Sequence, residues 1–329
     1  KIFISMQEIS SYREAFIAHM NSKVSVKEPE NLYEPISYIL NLGGKRLRPI
    51  LVLMATEIFG EDYTKGLDAA LAVEVFHNFS LVHDDIMDDA PLRRGKDTVH
   101  EKWDLNTGIL SGDAMLINAY QLFENYDGST FKELAKLFTK TAIEVCEGQQ
   151  YDIDFETRDD VTIPEYIKMI EFKTAVLVGA ALQMGAIVAN AEDSCKDKIY
   201  EFGCLLGLAF QLQDDYLDAF GDPKTFGKQV GGDIIENKKT FLYLKAIENS
   251  TKEDAKQLEH LYSLSPKRPE NKIETVKTIF ENSGASELTR QEIEKYTKKA
   301  FECLDHISIS EDKKKGLIEF GNILMNRTV

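Results

Sequence analysis

Apolar residues return every three or four positions along almost the whole of this 329-residue chain, and no segment shows a convincing period-two alternation of the kind a half-buried strand requires. That pattern predicts an all-α fold, with helices near 31–41, 46–59, 66–89, 110–126, 130–155, 164–190, 195–220 and 235–249. Further helices are predicted near 252–262, 271–283, 286–306 and 311–326. The breaks fall where turn chemistry sets them: Gly43-Gly44, Ala90-Pro91, Thr162 capping ahead of Pro164, and Gly221-Asp222-Pro223. The apolar run from Ala175 to Ala189 is interrupted by Gln183 and is shorter than the ~20 residues a bilayer span needs. It reads as a buried helix in which Gly179, Ala180, Ala181 and Gly185 permit close packing. The linker-like stretch Ser263 to Lys272 follows the chemical motifs and reads as a loop, so residues 1–329 are expected to form a single domain.

The formal net charge of −16 argues against generic binding to nucleic acid or to an anionic membrane surface. A chain this acidic binds an anionic substrate only through local cations or bridging metal ions. Cys146, Cys195, Cys204 and Cys303 show no CxxC spacing, which argues against a zinc site or a disulfide framework. The first ten residues, KIFISMQEIS, lack the segments of a signal peptide. A cytoplasmic protein without stable membrane insertion is the expectation.

Two segments share an unusual pattern. Asp84-Asp85-Ile86-Met87-Asp88 and Asp214-Asp215-Tyr216-Leu217-Asp218 each place aspartates at i, i+1 and i+4. On a helix the first and last lie on one face, about 5–6 Å apart at Cβ, and repel unless a cation sits between them. Such an oxygen-only donor set suits magnesium, which takes few protein carboxylates and completes its shell with water and phosphate oxygens. One DDxxD arises by chance roughly 0.1 times in a chain like this, and two roughly 0.01 times. Each motif also follows a strongly apolar stretch, Phe79-Ser80-Leu81-Val82 or Leu208-Ala209-Phe210, where an unpaired charge is costly. Two aspartate motifs serving one cavity explain this better than two solvated acidic faces.

Candidate anion-binding cations stand near both motifs. Gly43-Gly44-Lys45-Arg46-Leu47-Arg48-Pro49 is a flexible turn opening a helix, rich in donors for phosphate oxygens. Arg93-Arg94-Gly95-Lys96 follows the first motif after a short turn. Lys173 interrupts an otherwise apolar helix, and Lys228 and Lys238 come just after the second motif. His77 lies two turns before Asp84 on the same helical face. Glu74-Val75-Phe76-His77 matches half of a di-iron bundle signature, but no second Glu-x-x-His partner is found. No persuasive Ser/His/Asp or Cys/His arrangement is present.

In this order and combination the segments resemble the trans-isoprenyl diphosphate synthases, or polyprenyl synthetases. The resemblance runs from GGKRLRP at 43–49 through EVFHNFSLVHDDIMDDAPLRRGKDTVH at 74–100, GD at 112–113, GQQYD at 148–152 and FKT at 172–174. It continues through FQLQDDYLD at 210–218 and GKQVGGD at 227–233 to ENKKT at 236–240; beyond about residue 250 only helical periodicity speaks. The resemblance implies a bundle of antiparallel helices around a deep central cavity, usually a homodimer, with the two motifs facing each other at the cavity mouth. It implies Mg2+, three ions per active site with substrate bound, held by Asp84, Asp88 and Asp214, with Asp85, Asp215 and Asp218 in or just behind that shell. It places Lys45, Arg48, His77 and Arg94 on the diphosphate of isopentenyl diphosphate. It places Arg93, Lys173, Thr174, Gln211, Lys228 and Lys238 on an allylic diphosphate. The implied reaction is head-to-tail condensation of the two, with magnesium and cationic side chains stabilising the departing diphosphate.

In this family the residues just before the first motif form the floor of the pocket for the growing tail. Here they are Phe79 and Ser80, and the first motif lacks the two-residue insertion of one bacterial group of short-chain synthases. A phenylalanine followed by a small serine favours geranylgeranyl diphosphate, with 20 carbons, over the 15-carbon farnesyl diphosphate. Phe76 and Phe79 could equally be core residues at i, i+3 spacing. A class I terpene cyclase is a rival reading, but it would carry an Asn/Ser/Glu metal motif in place of the second DDxxD. A non-catalytic partner subunit would be expected to have lost aspartates or the Arg93-Arg94 pair, and all are present.

Overall fold

Helices form in the computed structural model at most of the places periodicity indicates; it describes residues 6–222 and 230–326, and 78% of it is helical. They are α1 (Met6–Lys23), α2 (Glu30–Asn41), α3 (Leu47–Ile58), α4 (Leu67–Met87), α5 (Val99–Lys102), α6 (Leu105–Phe123), α7 (Gly128–Glu156) and α8 (Ile163–Ile170). There follow α9 (Val176–Val188), α10 (Asp193–Phe220), α11 (Gly232–Ile235), α12 (Phe241–Asn249), α13 (Lys252–Leu261), α14 (Glu270–Asn282), α15 (Ala285–Cys303) and α16 (Glu311–Met325). Thr162 caps α8 through a reciprocal capping box with Glu165, as the sequence indicates. The break at 43–44 also forms, with both glycines at positive φ.

Four local features depart from the periodicity reading. α1 was not anticipated: its buried side chains Tyr12, Phe16 and Met20 recur at strict i, i+4 spacing, a stripe too narrow to register as amphipathic. Residues 92–97 form a hairpin of β1 (Leu92–Arg93) and β2 (Lys96–Asp97), too short for any alternation to show. Its two-residue turn places Arg94 at φ 52° and Gly95 at φ 73°, the positive φ at both central residues that a type I′ turn requires. The helix expected over 164–190 changes register at a π-helical segment, Glu171–Ala175. The helix expected over 235–249 is two pieces, because the chain must turn at Asn237, which sits at φ 59°.

The chain divides into two compact units. The first holds residues 1–140, 180–199 and 308–313. α3 and α4 are its core; Leu51, Val52, Leu53, Met54 and Ala55 have no exposed surface at all. Gly185 lies so close to α3 that a Cβ there would stand 2.4 Å from the Val52 carbonyl oxygen and 2.6 Å from Ala55 Cβ. The small residue noted in the sequence therefore does permit helix contact. Phe76, Tyr120, Phe123 and Phe138 form an aromatic cluster with centroid separations of 4.7 Å to 6.5 Å.

The second unit holds residues 141–179, 200–307 and 314–329. Its core gathers Tyr166, Met169 and Ile170 of α8, Leu208 and Leu212 of α10, Phe241 and Leu244 of α12, and Val276 and Phe280 of α14. The stretch Ser263 to Lys272 lies inside this unit. Lys272, on α14, is 4% exposed, donates to the Leu264 carbonyl at 2.9 Å and bonds Asn237 Oδ1, so the loop is tied down from within. From Ile163 to Val188 the helical run is long and apolar enough to cross a membrane by length and composition, and 72% of its most apolar window is buried inside the protein.

Candidate active site

In the first unit α4 carries the aspartate motif at its C-terminal end. The helix splits the motif: Asp84 is half-buried, Asp88 is exposed, and Asp85, one position on, points inward at 2% side-chain exposure. Arg93, reaching back from the hairpin, grips both oxygens of Asp85 through Nε and Nη2 at 2.7 Å to 3.0 Å. The first and last carboxylates of the motif are thus left on the accessible side, while the middle one anchors the arginine-bearing hairpin to the helix. The hairpin is also held to α2, where Tyr38 donates to the Asp97 carbonyl at 2.8 Å.

The Gly43-Gly44 loop meets the same region. Arg94 Nη1 donates to the Gly43 carbonyl oxygen. A Cβ at Gly44 would lie 2.8 Å from Arg94 Nη2, and its φ of 129° is open to few other residues. Arg48, on the first turn of α3, points Nη1 at His77 Nε2 at 3.3 Å. A guanidinium only donates, so Nε2 accepts and the imidazole proton belongs on Nδ1. Burial, and then Arg48, Arg94, Arg93 and Arg46, hold the His77 pKa well below 6.5, so the ring is neutral. Arg46 stands apart from this group in its bonding. It is buried at 6% exposure in the left-handed region, φ 54°, bonding Glu74 Oε1 at 2.5 Å and the Leu40 carbonyl. Of the cations in GGKRLRP, then, Arg48 lies beside His77, Lys45 is exposed, and Arg46 is built into the core. That division was not legible in the sequence, where the cations look equivalent.

Phe79 is half-buried, its ring 5.5 Å from Phe76 and 4.9 Å from His83. Ser80 turns its hydroxyl back onto the His77 carbonyl at 2.7 Å, so it projects little bulk. Phe76 is a core residue at 1% exposure, whereas Phe79, one turn on, is not closed over.

In the second unit the C-terminal half of α10 splits its motif in the same way. Asp214 and Asp218 are half-buried and Asp215 is 6% exposed. Its partners differ from those of Asp85: Tyr166 donates its hydroxyl to Oδ2, and Gln211 donates to Oδ1 at 2.9 Å. With no cationic partner among the described residues, Asp215 has a pKa well above the usual carboxylate range, raised first by burial and then by the charge of Asp233. Asp218 accepts the backbone N–H of Asp233 at 2.9 Å. The π-helical segment presents Lys173 and Thr174 together. Lys173 Nζ meets Asp152 Oδ2 at 2.5 Å, and Thr174 donates to Gln211 Oε1 at 3.2 Å. Lys238 pairs with Glu236 at 2.9 Å. Lys228 lies outside the described residues.

Sequence reasoning did not single out Tyr166, Asp152, Asp233, Arg46 or Glu74 as site residues. Asp152 and Asp233 lie within the GQQYD and GKQVGGD segments, so a motif signal existed for them. Tyr166 sits in an amphipathic helix where an aromatic residue reads as core, and only the fold brings it to Asp215.

Each unit presents its motif's oxygen donors at half-buried or exposed positions, with Arg93 bonded to Asp85 in the first and Lys173 bonded to Asp152 in the second. Within each unit that arrangement fits hydrated magnesium and a polyphosphate, as in an all-helical, diphosphate-handling enzyme. A model of the polyprenyl synthetase family matches residues 29–281. A crystal structure of a geranylgeranyl pyrophosphate synthase is 57% identical, with a TM-score of 0.94, covering 97% of this chain and 98% of its own. Geranylgeranyl diphosphate synthase from Methanosarcina mazei is 39% identical over 251 residues, 76% of this chain and 78% of that protein. Geranylfarnesyl diphosphate synthase from Natronomonas pharaonis is 36% identical over 301 residues, 86% of each chain. The chain belongs to the polyprenyl synthetase family and is a prenyltransferase.

Proposed function

We propose that this enzyme condenses isopentenyl diphosphate head-to-tail with an allylic diphosphate and releases geranylgeranyl diphosphate. The observation that carries the reading is the cluster of Arg48, Arg93 and Arg94 around neutral His77, at the end of a helix bearing Asp84 and Asp88. So much positive charge beside an aspartate motif calls for a polyanion and its counter-cations. Lys45, Arg48, His77 and Arg94 hold the diphosphate of isopentenyl diphosphate. Lys173, Thr174, Gln211, Lys228 and Lys238 serve the allylic diphosphate, with Arg93 also acting through Asp85. Asp84, Asp88, Asp214 and Asp218 hold magnesium, whose chemistry when bound is to neutralise charge developing on the departing diphosphate.

The allylic C–O bond breaks, the double bond of isopentenyl diphosphate attacks the resulting carbocation, and a proton is then lost. The protein supplies position, donors and dryness rather than a nucleophile. Phe79, half-buried beside Phe76 and His83, sets the depth of the tail pocket in this reading, with Ser80 leaving room alongside. The two units serve one catalytic domain. The enzyme works as a homodimer in the cytoplasm. Exposed Leu105, Ile109, Leu110 and Ile117 on α6 support the dimer, and four free cysteines support a reducing compartment.

Product analysis with labelled isopentenyl diphosphate and primers of five, ten and fifteen carbons tests the reading. A magnesium-dependent product ending at 20 carbons is expected. A 15- or 25-carbon product keeps the reaction and corrects the length, while no elongation from any primer refutes it. Phe79→Ala is expected to lengthen the product, and an unchanged length distribution removes Phe79 from that role.

A further inference from the structure

His100, on α5, is an unusual histidine: its side chain keeps only 9% exposure, and neither ring nitrogen has a hydrogen-bond partner among the described residues. Burying an imidazole with both nitrogens unsatisfied is costly, and buried polar groups without partners call for an explanation. Gly108, on α6, packs against this residue: a Cβ there would meet His100 Cβ in ordinary contact at 3.4 Å and Ile86 Cδ1 at 3.0 Å. Two exposed carboxylates converge on the ring. Asp89 lies just past the end of α4 and Glu101 just after His100, and one potential ligand atom from each of the three lies within 4.8 Å of the others. The Glu101 Oε1 to His100 Nε2 distance is 3.9 Å.

We propose that Asp89, His100 and Glu101 form a binding site for a transition-type divalent cation such as zinc, distinct from the magnesium-binding aspartates. An imidazole nitrogen with two carboxylate oxygens selects such a metal over magnesium, which prefers oxygen and water. With bonds of about 2.1 Å, tetrahedral ligand atoms stand about 3.4 Å apart. The carboxylates therefore need to close by roughly 1 Å, within reach of side-chain rotation at exposed residues. Three protein ligands leave a coordination position for water.

The segment this cation would clamp is the one that carries Arg93 and Arg94. That segment is already folded back on itself, with Thr98 Oγ1 on the Ala90 carbonyl at 2.7 Å and Thr98 N on the Pro91 carbonyl at 3.1 Å. A metal joining Asp89 to α5 closes the same loop from outside and so fixes both arginines relative to α4.

The test is zinc titration of the chelator-treated full-length protein by calorimetry, in excess magnesium. Wild type and an Asp84→Asn/Asp88→Asn double variant are expected to bind one zinc per chain. His100→Gln and Glu101→Gln are each expected to weaken binding by at least about 100-fold, since loss even of outer-shell partners costs 10–100-fold. Glu101 is exposed, so its variant gives an answer even where the His100 variant misfolds. Absence of zinc binding by wild type, or binding that survives in Glu101→Gln and disappears with Asp84 and Asp88, overturns the proposal.

Discussion

At the residue scale, the two motifs use the same geometry with different chemistry. Asp85 is neutralised by the Arg93 guanidinium, whereas Asp215 is held by the neutral donors Tyr166 and Gln211. Removing the cation from the first leaves a carboxylate buried at 2% exposure without its bidentate partner. Arg93→Gln is therefore expected to cost roughly 3 kcal/mol in urea unfolding, the low end for a broken buried pair because Arg93 is itself 25% exposed. Arg93→Lys should recover only part of that, since an ammonium cannot grip both oxygens. Equal stability of all three proteins would show that the pair does not hold the hairpin. His77 makes a prediction with the sign opposite to the usual paired histidine. Its folded pKa is depressed below 6.5, so below that pH the unfolded chain binds a proton that the native ring refuses. Stability is complete above 6.5 and falls as pH drops, by at most ~1.4 kcal/mol per unit for this one group. Urea midpoints between about pH 5 and 7.5 should decline less steeply in His77→Gln than in wild type. Identical slopes would mean His77 takes up a proton as readily in the folded protein as in the unfolded chain.

At the element scale, the π-helical turn at Glu171–Ala175 does what a regular helix could not. Its five-residue register sets Lys173 toward Asp152 and Thr174 toward Gln211 within a single turn. α7 must come close for this, and Gly148 makes the approach: a Cβ there would lie 2.3 Å from Lys173 N and 2.7 Å from the Phe172 carbonyl carbon. Both atoms are backbone, so no side chain can swing away. Gly148→Ala is expected to destabilise the protein by about 3 kcal/mol or more, as overpacking against rigid neighbours does. It should also raise KM for the allylic diphosphate more than it lowers kcat, because Asp152 is one turn from the new methyl group. A wild-type melting temperature and KM would contradict the close approach. The hairpin makes the same point on a smaller scale: Arg93 reaches Asp85 from the last position of β1, and Arg94 reaches Gly43 from within a tight turn whose two central residues, Arg94 and Gly95, have positive φ.

At the scale of the whole molecule, a net charge of −16 sets the terms on which any diphosphate is held. Local arginines work against the overall field, and counter-cations held by the aspartates would reduce the repulsion further. Inorganic pyrophosphate with magnesium is expected to raise the melting temperature by several degrees, the equivalent of about 2.7 kcal/mol at a hundredfold excess over Kd. Either component alone should do much less, and chelation should abolish the joint effect. Equal stabilisation by pyrophosphate with and without magnesium would locate binding on the arginines alone.

The amino-acid sequence by itself determined that the protein is helical, because apolar spacing is a local property that each segment carries independently. It also determined that the first and last aspartates of each motif share one face of a helix, since i, i+1, i+4 spacing has one meaning there. Only the tertiary structure decided which member of each motif turns inward, because burial of Asp85 and Asp215 depends on what packs against α4 and α10. It decided that Arg46 belongs to the core while Arg48 lies beside His77, a distinction between neighbouring cations that no spacing rule contains. It brought Tyr166 to Asp215 across 49 residues of sequence and isolated the imidazole of His100. Such pairings are made by non-local packing, and a linear pattern records only what is near in the chain.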